Sequence, residues 1–190
     1  MNYNEMEIKL KEMLPERRLK HSLNVSKCAV KLSEIYNCDK EKAKIAGLVH
    51  DCAKYFNDEQ IEDCIKKFNI ELDSLEENNL ALSHSVIGSY VAKEVFEIED
   101  EEILNAVKYH TTGRENMTLL EKIIYMADLI EEGRYFPKVE ELRELTYSGK
   151  LEEALILSFN NTIKFVIDNN QLIHPRTVKA RNYILSKILW

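Results

Sequence analysis

Apolar residues along this chain recur at steps of three and four, and no convincing alternation at steps of two competes with them. That spacing gathers them on one side of a helix of ~3.6 residues per turn. A short amphipathic segment is expected over about 5–14, and Pro15 suits the first turn of a longer helix, where its missing N–H costs nothing. In that helix His21, Val25, Cys28, Leu32 and Ile35 form one inward stripe, while Arg17, Lys20, Asn24, Lys27, Lys31 and Glu34 fill the outer faces. Asp39 is placed to cap the next helix, whose run Ile45-Ala46-Gly47-Leu48-Val49 ends in His50-Asp51. Asp58 is expected to cap a helix carrying Ile61, Cys64, Ile65 and Phe68.

Further along, Ser83 or Ser85 can open a helix with the inner stripe His84, Ile87, Val91, Val95. Asp100 caps another, with Ile103, Val107 and His110 in register. The loop Thr111-Thr112-Gly113-Arg114 precedes a helix opened by the capping box Thr118-x-x-Glu121, with Leu120, Ile124 and Asp128 inward and Gly133 as its stop. Helices near 139–147, over 151–168 and after Pro175 complete an all-α reading.

Composition supports this. The chain has 190 residues, with only 5 Gly and 3 Pro against abundant helix formers. That length can bury a sizeable core as one domain, with a core over about 15–135 and C-terminal helices over 137–190 completing a pocket. The net charge of −7 gives no general attraction to nucleic acid or to an anionic membrane, so cations serving a phosphate must be local. No signal-peptide pattern and no spanning apolar run is visible, and Cys28, Cys38, Cys52 and Cys64 lack C-x-x-C spacing. The expectation is a cytoplasmic protein with free thiols, needing neither nucleic acid nor membrane; a homodimer is compatible with the sequence.

The chemistry-bearing residues sit where core residues should be. His21, His50, Asp51, His84, His110 and Asp128 lie on inward faces of five separate segments. One buried histidine is more often a hydrogen-bonded core residue than a ligand. Six such exceptions are another matter, because each buried polar group costs about 1–3 kcal/mol unless satisfied. A shared metal centre would satisfy them together, and mixed imidazole and carboxylate donors suit Fe, Mn, Co or Zn.

The order His … His-Asp … His … His … Asp resembles the HD-domain metal-dependent phosphohydrolases. The resemblance implies His21, His50, Asp51 and Asp128 as metal ligands, with Asp51, His84 and His110 serving a second ion where one is present. With a single ion, His84 and His110 face the phosphates. A narrower similarity is to the bacterial YqeK-type HD proteins. It is carried by Lys20-His21-Ser22-Leu23-Asn24-Val25, Gly47-Leu48-Val49-His50-Asp51-Cys52-Ala53-Lys54, Tyr109-His110-Thr111-Thr112-Gly113, Ala127-Asp128 and Leu172-Ile173-His174-Pro175-Arg176-Thr177-Val178-x-x-Arg181-Asn182. The chain departs from that pattern at Ile130-Glu131-Glu132-Gly133-Arg134, where a proline is expected before the arginine.

This resemblance implies a symmetrical diadenosine tetraphosphatase with bound iron (one or two ions, Mn or Co being acceptable), in which a metal-bound hydroxide splits the dinucleotide into two ADP. It further implies a nucleotide site built from Arg18, Asp51, Cys52, Ala53, Lys54, His84, His110, Thr111, Asp128, Arg134, Gln171, Leu172, Ile173, His174, Pro175 and Arg176. Tyr109 and Tyr125 are expected to pack in the core rather than stack on a base. Two other readings use the same pocket: an HD enzyme acting on another nucleotide phosphoester, and a non-catalytic nucleotide sensor. The complete set of six donors argues against the sensor.

Overall fold

A computed structural model describes residues 1–189. Among the described residues there are ten helices and no strand, as the apolar spacing indicates. The order is α1 (Tyr3–Met13), α2 (Glu16–Tyr36), α3 (Lys40–Val49), α4 (Asp58–Phe68), α5 (Leu80–Phe96), α6 (Glu101–Tyr109), α7 (Leu119–Ile130), α8 (Val139–Tyr147), α9 (Leu151–Asp168) and α10 (Pro175–Leu189).

α1 and α3 to α7 begin at side-chain caps, and several helix ends differ from expectation. Asp39 and Asp100 cap α3 and α6 as anticipated. Asn57, not Asp58, caps α4: its side chain accepts from the Gln60 amide while Gln60 answers at the Asn57 amide. Asn79, rather than Ser83 or Ser85, opens α5, leaving both serines buried inside the helix. Pro15 stands just outside α2 in an extended conformation. Thr118 accepts from the Glu121 amide, but the Glu121 carboxylate turns to Arg114 instead of closing the box. α7 stops at Ile130, before Gly133, and its next residue Glu131 is extended and buried.

The central helices α2, α3, α5, α6 and α7 pack on one another, with α8 against α7 and α9 and with α10 laid along α9. Fully buried Leu32, Leu48, Ile87, Ile123, Ile124, Phe96 and Phe159 fill the spaces between them. Each such side chain contributes about 1.5–3 kcal/mol by leaving water. On α2 the inward stripe holds at Val25, Cys28 and Leu32, but Ile35 is exposed, while Ser33 and Tyr36 take the inward positions of the last turn. Asn24, expected outside, is buried.

Two glycines matter to the site. A Cβ on Gly47 would lie 2.8 Å from the Cα of Ser26, so α2 and α3 touch backbone to backbone there. Ser26 Oγ seals the contact by donating to the Lys44 carbonyl at 2.7 Å. This crossing sets His21 on α2 against His50 and Asp51 at the end of α3. Gly113 adopts φ +64°, a conformation open to glycine at little cost, and turns the chain away just after His110.

Candidate metal centre

Each histidine of the constellation reaches the centre from a helix end or a helix face. His50 and His110 follow directly on the last residues of α3 and α6, while His21 and His84 sit within α2 and α5. In all four, Nδ1 is held by an oxygen. His50 Nδ1 is 2.8 Å from the Gly47 carbonyl, His84 Nδ1 3.0 Å from that of Leu80, and His110 Nδ1 2.7 Å from that of Val107. His21 Nδ1 is instead 3.0 Å from Glu131 Oε1. A ring that donates through Nδ1 keeps its Nε2 lone pair for a ligand, so the four Nε2 atoms are the available donors.

Those atoms converge on two carboxylates. His21 Nε2 lies 2.9 Å from Asp128 Oδ1 and 3.8 Å from Asp51 Oδ2. His50 Nε2 lies 3.4 Å from Asp51 Oδ2 and 3.7 Å from Asp128 Oδ1. On the other side of Asp51, Oδ1 is 3.1 Å from His84 Nε2 and 3.5 Å from His110 Nε2. Three overlapping triads (His21, His50, Asp51; His50, His110, Asp128; Asp51, His84, His110) each keep their donor atoms within 4.8 Å of one another.

The arrangement fits a metal for a reason visible in the protein atoms alone. His50 Nε2 and Asp51 Oδ1 are fully enclosed yet make no hydrogen bond, although both lie at the middle of the cluster. A buried polar atom without a hydrogen bond is costly, and an ion coordinated between these atoms removes the penalty. With nitrogen and carboxylate donors and no thiolate, the set suits a first-row ion such as Fe, Mn, Co or Zn better than Ca.

In the metal-free protein the cluster holds a proton. Burial disfavours a charged His50, but the Asp51 and Asp128 carboxylates beside it prevail and raise its pKa to about 10. Burial alone would push Asp51 and Asp128 up; His50 together with the other imidazoles, and Arg134 beside Asp128, hold both well below the usual carboxylate range. His84 moves the opposite way, to about 4, because burial dominates and His110 and Lys54 are near.

A cavity of about 250 Å³ opens over Asp51, His84, His110 and Asp128, with Arg18, Lys54, Thr111 and Arg134 around it. Arg18 donates to Asp51 Oδ2 at 2.8 Å, and Arg134 pairs with Asp128 through its carboxylate and its carbonyl. Lys54 Nζ sits 3.2 Å from His84 Nε2; burial first, then Arg18 and Arg134, lowers its pKa. Thr111 Oγ1 is buried without a partner.

Other expected nucleotide residues are placed differently. Cys52 and Ala53 are buried, and the Cys52 thiol contacts the Gly88 carbonyl at 3.4 Å, so neither side chain faces the cavity. His174, Pro175 and Arg176 line a separate cleft of about 560 Å³ with Tyr109 and Arg114. There His174 is 2.9 Å from Asp73 and Arg176 donates to Glu76 at 3.0 Å; Asp73, Glu76 and His174 form a further group of potential ligands, already tied up in these pairs. Ile173 is half-buried, whereas Gln171 and Leu172 are exposed. Tyr125 is in the core as expected, its ring centre 4.7 Å from that of Phe159, and burial pushes its phenol up to about 12.

Sequence reading missed Glu131, which follows a helix and is adjacent to Glu132, so it looks like one more solvated acid. It is buried and receives hydrogen bonds from His21, Asn24 and Gly133. Thr162 and Leu129, also on the cavity wall, carry no sequence signal that would have found them.

An all-α fold with four histidines and two aspartates on one buried centre defines the class: the chain belongs to the HD domain family, whose profile matches residues 18–133. Full-length likeness places it among the YqeK-type proteins of that family. It is 39% identical to the "Bis(5'-nucleosyl)-tetraphosphatase, symmetrical" of Bacillus subtilis (strain 168), covering 98% of this chain and 99% of that one. The protein of the same description from Staphylococcus aureus is 36% identical over 96% of this chain and 94% of its own length. A crystal structure from Clostridium acetobutylicum, described as that of a "predicted HD superfamily hydrolase involved in NAD metabolism", superposes with a TM-score of 0.94 at 49% identity, over 98% of both chains.

Proposed function

We propose that this protein hydrolyses diadenosine tetraphosphate symmetrically, giving two ADP. The observation that carries the reading is the convergence of His21, His50, Asp51, His84, His110 and Asp128 beneath a cavity whose cations are Arg18, Lys54 and Arg134. The near-full-length relatives described as symmetrical tetraphosphatases choose the reaction. His21, His50, Asp51 and Asp128 would hold an iron ion, with Asp51, His84 and His110 serving a second. A bound metal of this kind supplies a nucleophile from water near neutral pH and draws charge from a phosphoryl oxygen.

The remaining work is positioning and charge neutralisation, which is chiefly what phosphoryl transfer asks of a protein. Arg18 and Arg134 place two fixed positive charges beside the carboxylates. Lys54, kept close to His84, adds a third at the opposite wall. The free Thr111 hydroxyl is available to a phosphate oxygen. The segment 171–176 is taken to lean on one nucleoside half from the neighbouring cleft, with α9 and α10 completing the pocket. The four free thiols suit a cytoplasmic setting, and among the described residues no helix is long and apolar enough to cross a membrane.

The test is product analysis with iron-loaded protein under anaerobic conditions and diadenosine tetraphosphate as substrate. ADP as the sole product supports the reading. AMP with ATP would keep the metal centre and overturn the position of cleavage. Turnover of another nucleotide phosphoester in preference to the dinucleotide would overturn the substrate.

A further inference from the structure

The centre opens in two directions. Asp51, His84, His110 and Asp128 face the cavity already described. His21 faces a second cleft of about 360 Å³, on the α2 side, lined by Arg17, Arg18, Lys20, Tyr55 and Arg134. Arg18 and Arg134 line both spaces, and each is paired with a carboxylate of the donor cluster. That volume falls within the ~300–1,000 Å³ common for small-molecule sites.

The cleft is basic within an acidic protein. Arg17 and Lys20 lie three residues apart on α2, both exposed, and among the described residues neither enters an ion pair. Glu131 lines the cleft as well, its carboxylate held by hydrogen bonds from His21, Asn24 and the Gly133 amide, so four cations there face one carboxylate. In the same lining, Tyr55 is 52% exposed and the Arg18 guanidinium lies 6.0 Å from its ring centre. An exposed aromatic ring sharing one cleft with two unpaired cations is a combination that takes a base and its phosphates.

A symmetrical substrate makes a geometric demand. Cleavage in the middle of a four-phosphate chain requires a nucleotide on each side of the centre. We propose that the α2 cleft is the subsite for the second nucleoside-phosphate half, with Tyr55 stacking on its base and Arg17 and Lys20 contacting its phosphates. This rests on the function proposed above and deepens it. Arg18 and Arg134 then span the point where the two halves join, and the two walls together set the cleavage position.

The experiment compares wild-type protein with Tyr55→Ala and with the double variant Arg17→Ala, Lys20→Ala. Two substrates are used: diadenosine tetraphosphate, and adenosine 5′-tetraphosphate, which keeps the phosphates and lacks the second nucleoside. The expected result for Tyr55→Ala is that the ratio of kcat/KM values, dinucleotide over mononucleotide, falls about tenfold, mostly through KM, as loss of stacking on one base predicts. For the double variant, ADP binding to metal-loaded protein by calorimetry drops from two molecules per chain to one. Because the ratio is taken within each variant, a partly misfolded preparation lowers both rates and leaves it unmoved. An unchanged ratio for Tyr55→Ala, or a single ADP bound by wild-type protein, overturns the subsite. A wild-type enzyme that releases products other than ADP overturns the function instead, while the ADP stoichiometry still judges the cleft.

Discussion

Glu131 Oε1 stands 3.0 Å from His21 Nδ1, so a buried carboxylate just beyond the end of α7 orients a donor on the first half of α2. The other three histidines use backbone carbonyls for this purpose. His21 therefore depends for its orientation on a side chain that mutation can reach. Replacing Glu131 with Gln keeps its size and removes the charge. We expect metal affinity to fall about 10- to 100-fold, as for other partners of metal-bound histidine, with helix content retained. Chelator competition followed by absorbance measures it; wild-type affinity in Glu131→Gln would reduce the contact to packing.

Metal binding should displace a proton from His50. Its pKa of about 10 in the metal-free protein means the imidazole is charged near neutral pH, whereas a ligand must be neutral. Calorimetry in buffers of different ionisation enthalpy at about pH 7 should show net proton release, and affinity should climb about tenfold per pH unit below about pH 9. The stability of the metal-free protein runs the other way. A folded pKa raised above the unfolded value of 6.5 gives stability that is complete below about 6.5 and is lost as pH rises toward about 10. Metal-free protein should accordingly lose more Tm than loaded protein between about pH 7 and 10. Equal losses in the two forms would place the proton elsewhere.

Arg143, on α8, donates to the carbonyls of Ile130, Glu131 and Arg134 at 3.0, 2.7 and 2.9 Å. One guanidinium thus ties down the segment that carries both Glu131 and Arg134. Arg143→Ala leaves two carbonyls at the end of α7 and one just beyond it without that donor and should cost about 2 kcal/mol in urea unfolding. Arg143→Lys, lacking the planar fork, should recover little of it. A variant as stable as wild type would show that water replaces the guanidinium freely.

What the sequence discloses about this site is decided by how local the signal is. The six central donors could be read because each interrupts an apolar stripe of helical period, and His50-Asp51 does so at a helix end. Asn24 and Glu131 could not, since each looks solvated until the other is known: the burial of Asn24 follows from its 2.9 Å bond to Glu131, 107 residues away. Caps were misplaced by neighbouring candidates of similar chemistry. At α4 the pair Asn57 and Gln60 is itself a capping-box pattern and was the better signal. The cleft holding His174 and Arg176 is formed by pairs with Asp73 and Glu76 about 100 residues earlier, a relationship that no local period expresses.

Gly47 gives the sharpest test that the α2–α3 crossing builds the centre. A Cβ there would meet the Ser26 Cα at 2.8 Å and the Val25 carbonyl oxygen at 3.1 Å, and both are backbone atoms that cannot rotate away. Gly47→Ala should therefore push α2 and α3 apart, costing about 1–3 kcal/mol despite the better helix propensity of alanine. Because His21 rides on one helix and His50-Asp51 on the other, metal affinity should fall with it. Gly88→Ala supplies the contrast: its Cβ would find only ordinary contacts, 3.6 Å from Val107 and 3.7 Å from Cys52, and helix propensity should leave that variant as stable as wild type or more so. Thermal melts and metal titrations of the two proteins side by side decide the matter. If Gly47→Ala bound metal as tightly as Gly88→Ala, the donors on α2 and α3 would not depend on the close approach of these helices.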